Sequence, residues 1–390
     1  MNRNLWLLAV CQGLFLTNNV TFIAINGLVG LSLAPLGWMA TLPVMAYVVG
    51  GALSTGLVAR AQHRLGRRLS FQLGLAVAAT SALLCCYAAY SHNFWLLTAA
   101  TLVAGYYNAN AQLYRFAAAE LAAPAYREKA VSLVLAGGLL GGVAGPNLAT
   151  ATRSLTTVPF AGAYLALAGV ALLAMGLLAF ITFPPQPPRH SASGGRPLRD
   201  ILRQPTFIVA ASAGALGYGV MNLLMAATPI AMQTCGLAFS DVARVLEWHV
   251  IGMFAPGFFT GNLIKRFGPL PVMAAGLALN VACVGVALTG VEFRQFLAAL
   301  LLLGLGWNFL FTGATALALT AYRPEEKDQA QGALNFCIFA VLAVSSLASG
   351  VLVTTQGWAL LNLGSLLPLG LTGLALAWLA VGQRQPHTAT

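Results

Sequence analysis

The chain predicts an all-α membrane protein with twelve transmembrane helices in two pseudo-symmetric six-helix halves. Three observations carry this. Of 390 residues, 59% are hydrophobic and only 7% charged, with a mean hydropathy of +0.80, a composition unlike that of a soluble domain of this size. The apolar residues fall into runs of about 20 or more, the length a helix needs to cross a bilayer core. The runs form two sets of six around a stretch rich in proline, glycine, serine and arginine.

Taken in order, the first set covers 5–33, 38–58, 69–90, 94–119, 130–150 and 158–183, and the second 207–232, 242–264, 270–289, 296–321, 330–354 and 358–381. The first run follows Arg3, continues past signal-peptide length and lacks a small-residue cleavage site, so it is expected to be a retained helix. Prolines and glycines between 184 and 197 preclude a span and mark a linker. The expected division is therefore a first half at 1–183, a cytoplasmic linker at 184–206 and a second half at 207–390.

The formal charge of +11 needs no nucleic-acid partner, because its distribution reports topology. With the N-terminus in the cytoplasm, Arg153, Arg244 and Arg294 fall outside. Arg60, Arg64, Arg67, Arg68, Arg189, Arg196, Arg199, Arg203, Lys265, Arg266, Arg323 and Lys327 fall inside, as the positive-inside bias requires. Both termini are then cytoplasmic, matching an even span count. Cys11, Cys85, Cys86, Cys235, Cys283 and Cys337 show no disulfide framework and read mostly as packing residues. Cys235, near an outer helix end, is the one open to a redox or metal-relay role.

The halves repeat at an offset of about 200 residues, as in transporters built from internal repeats. Arg64, Leu65 and Gly66 match Arg266, Phe267 and Gly268, and Pro124, Lys129 and Ala130 correspond loosely to Pro324, Lys327 and Ala330. The basic run Arg64-Leu65-Gly66-Arg67-Arg68 resembles the signature after the second helix of the major facilitator superfamily, with His63 where that family usually has an acidic residue. The glycines Gly137, Gly138, Gly141, Gly142 and Gly145 with Pro146 are similar to the superfamily's glycine-rich motif, although Ala149 and Thr150 replace its final glycines. Small residues allow close helix approach and proline bends an axis, so a packing-and-hinge role accounts for the motif without a substrate.

The chemistry concentrates in the seventh and eighth spans. Met221 and Met225 are four residues apart, as are His249 and Met253, and that spacing puts each pair on one helical face. Met232 falls within about 40° of Met221 and Met225 on the helical wheel. Ser240 reads as the N-cap of the eighth span and Asp241 suits its positive dipole end. Two antiparallel helices would then present three thioethers and an imidazole at overlapping depth, a donor set suited to Cu(I). A polar ring in hydrocarbon usually faces a cavity or the protein interior, whereas methionine alone is an ordinary flexible core filler.

The paired M-x-x-x-M and H-x-x-x-M pattern resembles the CcoA-like copper importers, a branch of the superfamily that supplies copper for bacterial cytochrome oxidase assembly. The resemblance implies Met221, Met225, His249 and Met253 as the metal-contacting set, copper as transported substrate rather than resident cofactor, a bacterial inner-membrane location and a cytoplasmic copper acceptor. Neutral thioethers need no deprotonation, while the imidazole must be neutral to donate its lone pair.

Asn18, Asn19, Asn26, Asn108, Asn110 and Gln112 read either as lining of a hydrated cavity or as interhelical hydrogen-bond glue, and Trp307, Asn308 and Asn335 invite the same two readings. Glu120 is expected to pair with Arg115. Glu247 is the best intramembrane carboxylate but lies about 200° around its helix from His249, so no driving force is assigned. No nucleophile–base arrangement, phosphate loop or nucleotide domain is present, so the expected class is a secondary transporter and not an enzyme. Its rivals are a riboflavin importer, close relatives of the copper importers that would use aromatic and amide residues; a drug or metabolite exporter; and a non-transporting copper sensor or assembly factor.

Overall fold

The computed structural model describes residues 3–123, 126–184, 195–323 and 326–384. Pro124, Pro324, Arg189, His190 and His387 lie outside them. Among the described residues all regular structure is helical, as long apolar runs in a bilayer require, since a helix satisfies its backbone hydrogen bonds internally.

The first half begins with α1 (Arg3–Leu33). After a short 3-10 turn, α2 (Leu42–Tyr90) supplies the second and third spans, with the chain broken at Gly66 (φ 75°, ψ 172°). The fourth span is split into α3 (Phe94–Ala111) and α4 (Tyr114–Leu121), and α5 (Arg127–Thr152) and α6 (Ala161–Leu178) complete the half. A short helix, α7 (Leu198–Leu202), lies within the stretch read as linker. The seventh span is α8 (Pro205–Thr234), and the eighth is α9 (Phe239–Phe254) followed by α10 (Gly257–Phe267). The last four are α11 (Pro269–Ala287), α12 (Phe293–Leu319), α13 (Lys327–Thr355) and α14 (Gly357–Arg384). Twelve crossings bring both chain ends to one face, the near face; the opposite is the far face.

The repeat seen in sequence has a conformational counterpart. Gly268, between α10 and α11, has φ 85° and ψ 166°, close to Gly66, and this region is essentially closed to residues with a side chain. Each half thus turns at the near face on the same kind of glycine. Two expectations about polar residues change. Ala238, not Ser240, caps α9: Phe239 is drawn into the helix because its ring packs on Phe160, centroids 5.0 Å apart. Glu120 pairs with Arg67 (Nη2–Oε1 2.5 Å) and not with Arg115, whose guanidinium lies 4.9 Å over the Phe116 ring. Arg67 also donates to Gln62 Oε1 at 3.1 Å, and Gln62 donates to Asn110 Oδ1 at 3.2 Å, so one network joins the second, third and fourth spans.

The glycine motif of α5 packs as expected. A Cβ on Gly137 or Gly141 would overlap the Ala9 and Gly13 carbonyl oxygens of α1, and Thr21 Oγ1 donates to Gly145 O at 2.8 Å. Asn26 accepts from Tyr164 Oη at 2.7 Å, Asn19 donates to Tyr47 Oη at 3.0 Å and Asn110 donates to Ser70 O at 2.8 Å. These three amides therefore act as interhelical ties.

The cores show which way the molecule faces. Toward the far face both halves share one apolar cluster, with Phe22, Tyr47, Tyr164 and Leu167 from the first half and Met225, Ile230, Leu246 and Leu300 from the second. Toward the near face the cores separate: Leu8, Phe71, Tyr114 and Leu178 form one, and Val209, Met273, Leu310 and Leu317 form another. At the far face Arg153 Cζ lies 5.3 Å over Phe160 and 5.4 Å over Phe239, and Thr41 Oγ1 donates to Ser346 O at 2.6 Å. The halves are thus joined at the far face.

Candidate functional site

The site grows from α12, whose two neighbouring stripes meet different partners. Leu300, Gly304 and Asn308 recur every four residues and face α9. A Cβ on Gly304 would overlap the His249 carbonyl oxygen, and one on Gly252 would come within 3.0 Å of Leu301 O, so two glycines let α9 and α12 approach backbone to backbone. That approach brings His249 Nδ1 to 2.7 Å from Leu300 O. Because a carbonyl oxygen only accepts, Nδ1 carries the hydrogen and Nε2 keeps its lone pair. His249 is fully buried, and Nε2 has no hydrogen-bond partner among the described residues.

Pro256 has no N–H to continue the ladder, so the eighth span breaks there. The Met253 carbonyl just before the break accepts from Asn308 Nδ2 at 2.7 Å, and Asn308 Oδ1 in turn accepts from Thr260 at 2.7 Å. Asn308 thereby holds both sides of the break.

Met221, Met225, His249 and Met253 are all buried, and the three methionines lie in the one cluster shared by both halves, as does Met232. The α9 helix packs mainly on α12 and α5, and α8 mainly on α13, α12 and α14, so the sulfur-bearing helices meet chiefly through α12. Among the described residues no group of three or more His, Cys, Asp and Glu could hold a metal; besides the methionine thioethers, the shared cluster holds the free thiols of Cys85, Cys86 and Cys283. The α8 stripe stops short of Cys235, which is exposed. There Gly236 (φ 77°) turns the chain, with Leu237 N donating to Met232 O and Gly236 N to Gln233 O, both at 3.0 Å, the two bonds of a Schellman end.

The second stripe of α12 is aromatic. Trp307 and Phe311 stack with centroids 5.0 Å apart and planes at 10°. Tyr218 of α8 meets both edge-on, at 5.1 and 5.2 Å, and Phe254 of α9 lies 6.2 Å from Trp307. Trp307 is buried, whereas Tyr218, Phe254 and Phe311 are partly open. Sequence reading singled out Trp307 but missed Tyr218, Phe254 and Phe311. The available signal was Tyr218 one turn before Met221, and Phe311 one turn after Trp307. It also missed Asn222, which ties α8 to α13 through Ser345 Oγ at 2.9 Å and Ser346 Oγ at 2.8 Å. Glu247 accepts from Asn147 Nδ2 at 3.3 Å, linking α9 to α5 across the halves.

The family model described as Major Facilitator Superfamily matches residues 5–246 and 215–390. The chain belongs to the major facilitator superfamily. Within it, the chain is 38% identical over 365 residues to the riboflavin transporter RfnT of Brucella anthropi, a match covering 92% of this chain and 91% of that protein. It is 26% identical to the uncharacterized MFS-type transporter YddS of Bacillus subtilis, covering 83% of this chain and 79% of that one. Among solved structures, the human organic anion transporter MFSD10 (TETRAN) superposes with a TM-score of 0.69 at 16% identity, over 96% of this chain and 99% of that one, a likeness of fold. The protein is therefore a multi-pass membrane transporter of the superfamily. The copper branch expected from the paired Met and His motif is not among these relatives, and RfnT, matched along 92% of this chain, carries riboflavin in its name.

Proposed function

We propose that this protein is a secondary transporter of a bacterial inner membrane that imports riboflavin by alternating access, with both termini in the cytoplasm and the linker 184–206 between two rocking halves. The observation that carries this reading is the 38% identity to a riboflavin transporter along 92% of the chain. The partly open Tyr218, Phe254 and Phe311 around Trp307 agree with it, because a flat conjugated ring is held by aromatic faces and a few placed polar groups. With the halves joined at the far face, the proposed topology makes this an inward-facing state. The test is expression in a riboflavin-auxotrophic bacterium lacking its own importer. Growth at limiting riboflavin and uptake of labelled riboflavin are expected, and absence of both rejects the cargo.

A second reading, copper import through Met221, Met225, His249 and Met253 toward a cytoplasmic copper acceptor, is favoured by one observation. His249 donates its Nδ1 hydrogen to a backbone carbonyl and leaves Nε2 unpartnered, the arrangement in which ligating histidines are commonly held. It is tested by radiolabelled copper accumulation. Loss on His249→Leu or Met225→Leu at normal membrane abundance supports copper, and unchanged accumulation rejects it.

A further inference from the structure

Trp307 is 6% exposed and its indole Nε1 has no hydrogen-bond partner among the described residues. An indole N–H can only donate, and burying it unpaired is costly, so the position calls for an acceptor. Asn308, the next residue, spends its amide on Met253 and Thr260, and the Trp307 ring is fixed by Phe311, Tyr218 and Phe254. The ring is therefore anchored while its donor stays unspent.

We propose that Trp307 selects the ring of the substrate: a planar heteroaromatic system lies against the Tyr218, Phe311 and Trp307 cluster, and an acceptor on its carbonyl and ring-nitrogen edge takes the Trp307 Nε1–H. The isoalloxazine of riboflavin has both the flat face and that acceptor edge, so the proposal rests on, and deepens, the riboflavin reading.

The experiment uses the full-length protein in lipid nanodiscs and reads riboflavin fluorescence, which stacking on tryptophan or tyrosine quenches. Saturable quenching is expected for the wild type, with competition by lumichrome, the ring without its sugar chain, and not by ribitol. Trp307→Phe keeps the plate and removes the N–H, and is expected to raise Kd about tenfold, the order of one buried hydrogen bond, with unchanged melting temperature. Wild-type affinity in Trp307→Phe overturns the proposal, as does absence of quenching by either probe. Should Trp307→Phe fail to fold, Tyr218→Leu, which removes one wall of the cluster and leaves the indole in place, decides instead, and wild-type affinity there overturns the proposal. Riboflavin uptake competed by ribitol but not lumichrome overturns the ring subsite and leaves the transport reading standing. Lumichrome binding weakened by Trp307→Phe, without riboflavin uptake in cells, supports the subsite and removes riboflavin as cargo.

Discussion

His249 Nδ1 lies 2.7 Å from the carbonyl oxygen of Leu300, and that contact fixes both the ring's tautomer and its orientation. It also separates two roles. Nδ1 ties α9 to α12, whereas only Nε2 is free to meet a cargo.

Asparagine places an amide nitrogen near the position of histidine Nδ1, so His249→Asn is expected to keep the tie and remove Nε2. Under the riboflavin reading, His249→Asn retains near wild-type riboflavin uptake. His249→Leu, which loses the hydrogen bond, is expected to be less stable by about 1 kcal/mol. Uptake and thermal melting of the two variants together check this. Loss of riboflavin uptake in His249→Asn at wild-type stability would show that Nε2 serves that cargo directly.

Far-face closure rests visibly on the Phe160–Phe239 ring pair with Arg153 over both rings. The aromatic pair contributes about 0.5–1.5 kcal/mol and the cation over the rings a similar amount, enough to shift a two-state balance about tenfold. Phe239→Ala is therefore expected to open the far face more often. In a Cys235→Ser background with Met221→Cys, a membrane-impermeant maleimide applied from the far side should react about tenfold faster when Phe239→Ala is added.

Glycines of α5 divide into those that pack and those at the seam. A Cβ on Gly141 would overlap Gly13 O and come within 2.6 Å of Leu16 Cβ, so Gly141→Leu is expected to cost about 3 kcal/mol or to abolish accumulation. Gly142 meets only the Val250 side chain of α9, at 2.5 Å. Gly142→Ala should leave abundance intact and slow transport severalfold, because it obstructs the sliding of α5 on α9. Gly169→Leu, with nothing within 4 Å, is the expected neutral control in an abundance assay.

At the near face Glu326 accepts from Arg196 Nη2 at 2.7 Å, Arg196 Nε and N at 2.8 Å, and Arg323 N at 2.9 Å. The Arg196 guanidinium, with the Arg323 N–H, holds the carboxyl well below the usual carboxylate range. A carboxyl depressed in the folded state stabilises it above the unfolded value, about 4.3, and loses that contribution as pH falls below it. Melting temperature is expected to drop below about pH 4.5, and Glu326→Gln should lower the neutral-pH value and flatten this limb of the profile.

Much of the architecture was legible because each span is long and apolar enough to announce itself, and because Gly66 and Gly268 recur in matching contexts. The interruptions at Gln112–Leu113 and Pro256 were not anticipated as breaks. Pro256 carries a known local signal, but continuous hydropathy across it masks the change. The Arg67–Glu120 pair was missed since its members are 53 residues apart, while Arg115 lies nearer in sequence and offered the obvious cation. The four soft donors were legible as positions four residues apart, but burial does not single out their face, since every α8 residue from Gly219 to Met232 is buried; that Tyr218, Phe254 and Phe311 gather around Trp307 was not legible.

By itself the sequence determined the membrane solvent, the number of crossings and the repetition of one half in the other, since length, apolarity and punctuation are local properties that a bilayer reads directly. Tertiary structure alone decided which stripe of α12 meets α9 and which meets α8, which tautomer His249 adopts, and that the Trp307 N–H is buried with no partner among the described residues. A membrane helix is apolar on nearly every side, so its periodicity does not separate the face against protein from the face against lipid. Only close approach through residues such as Gly252 and Gly304 makes that choice.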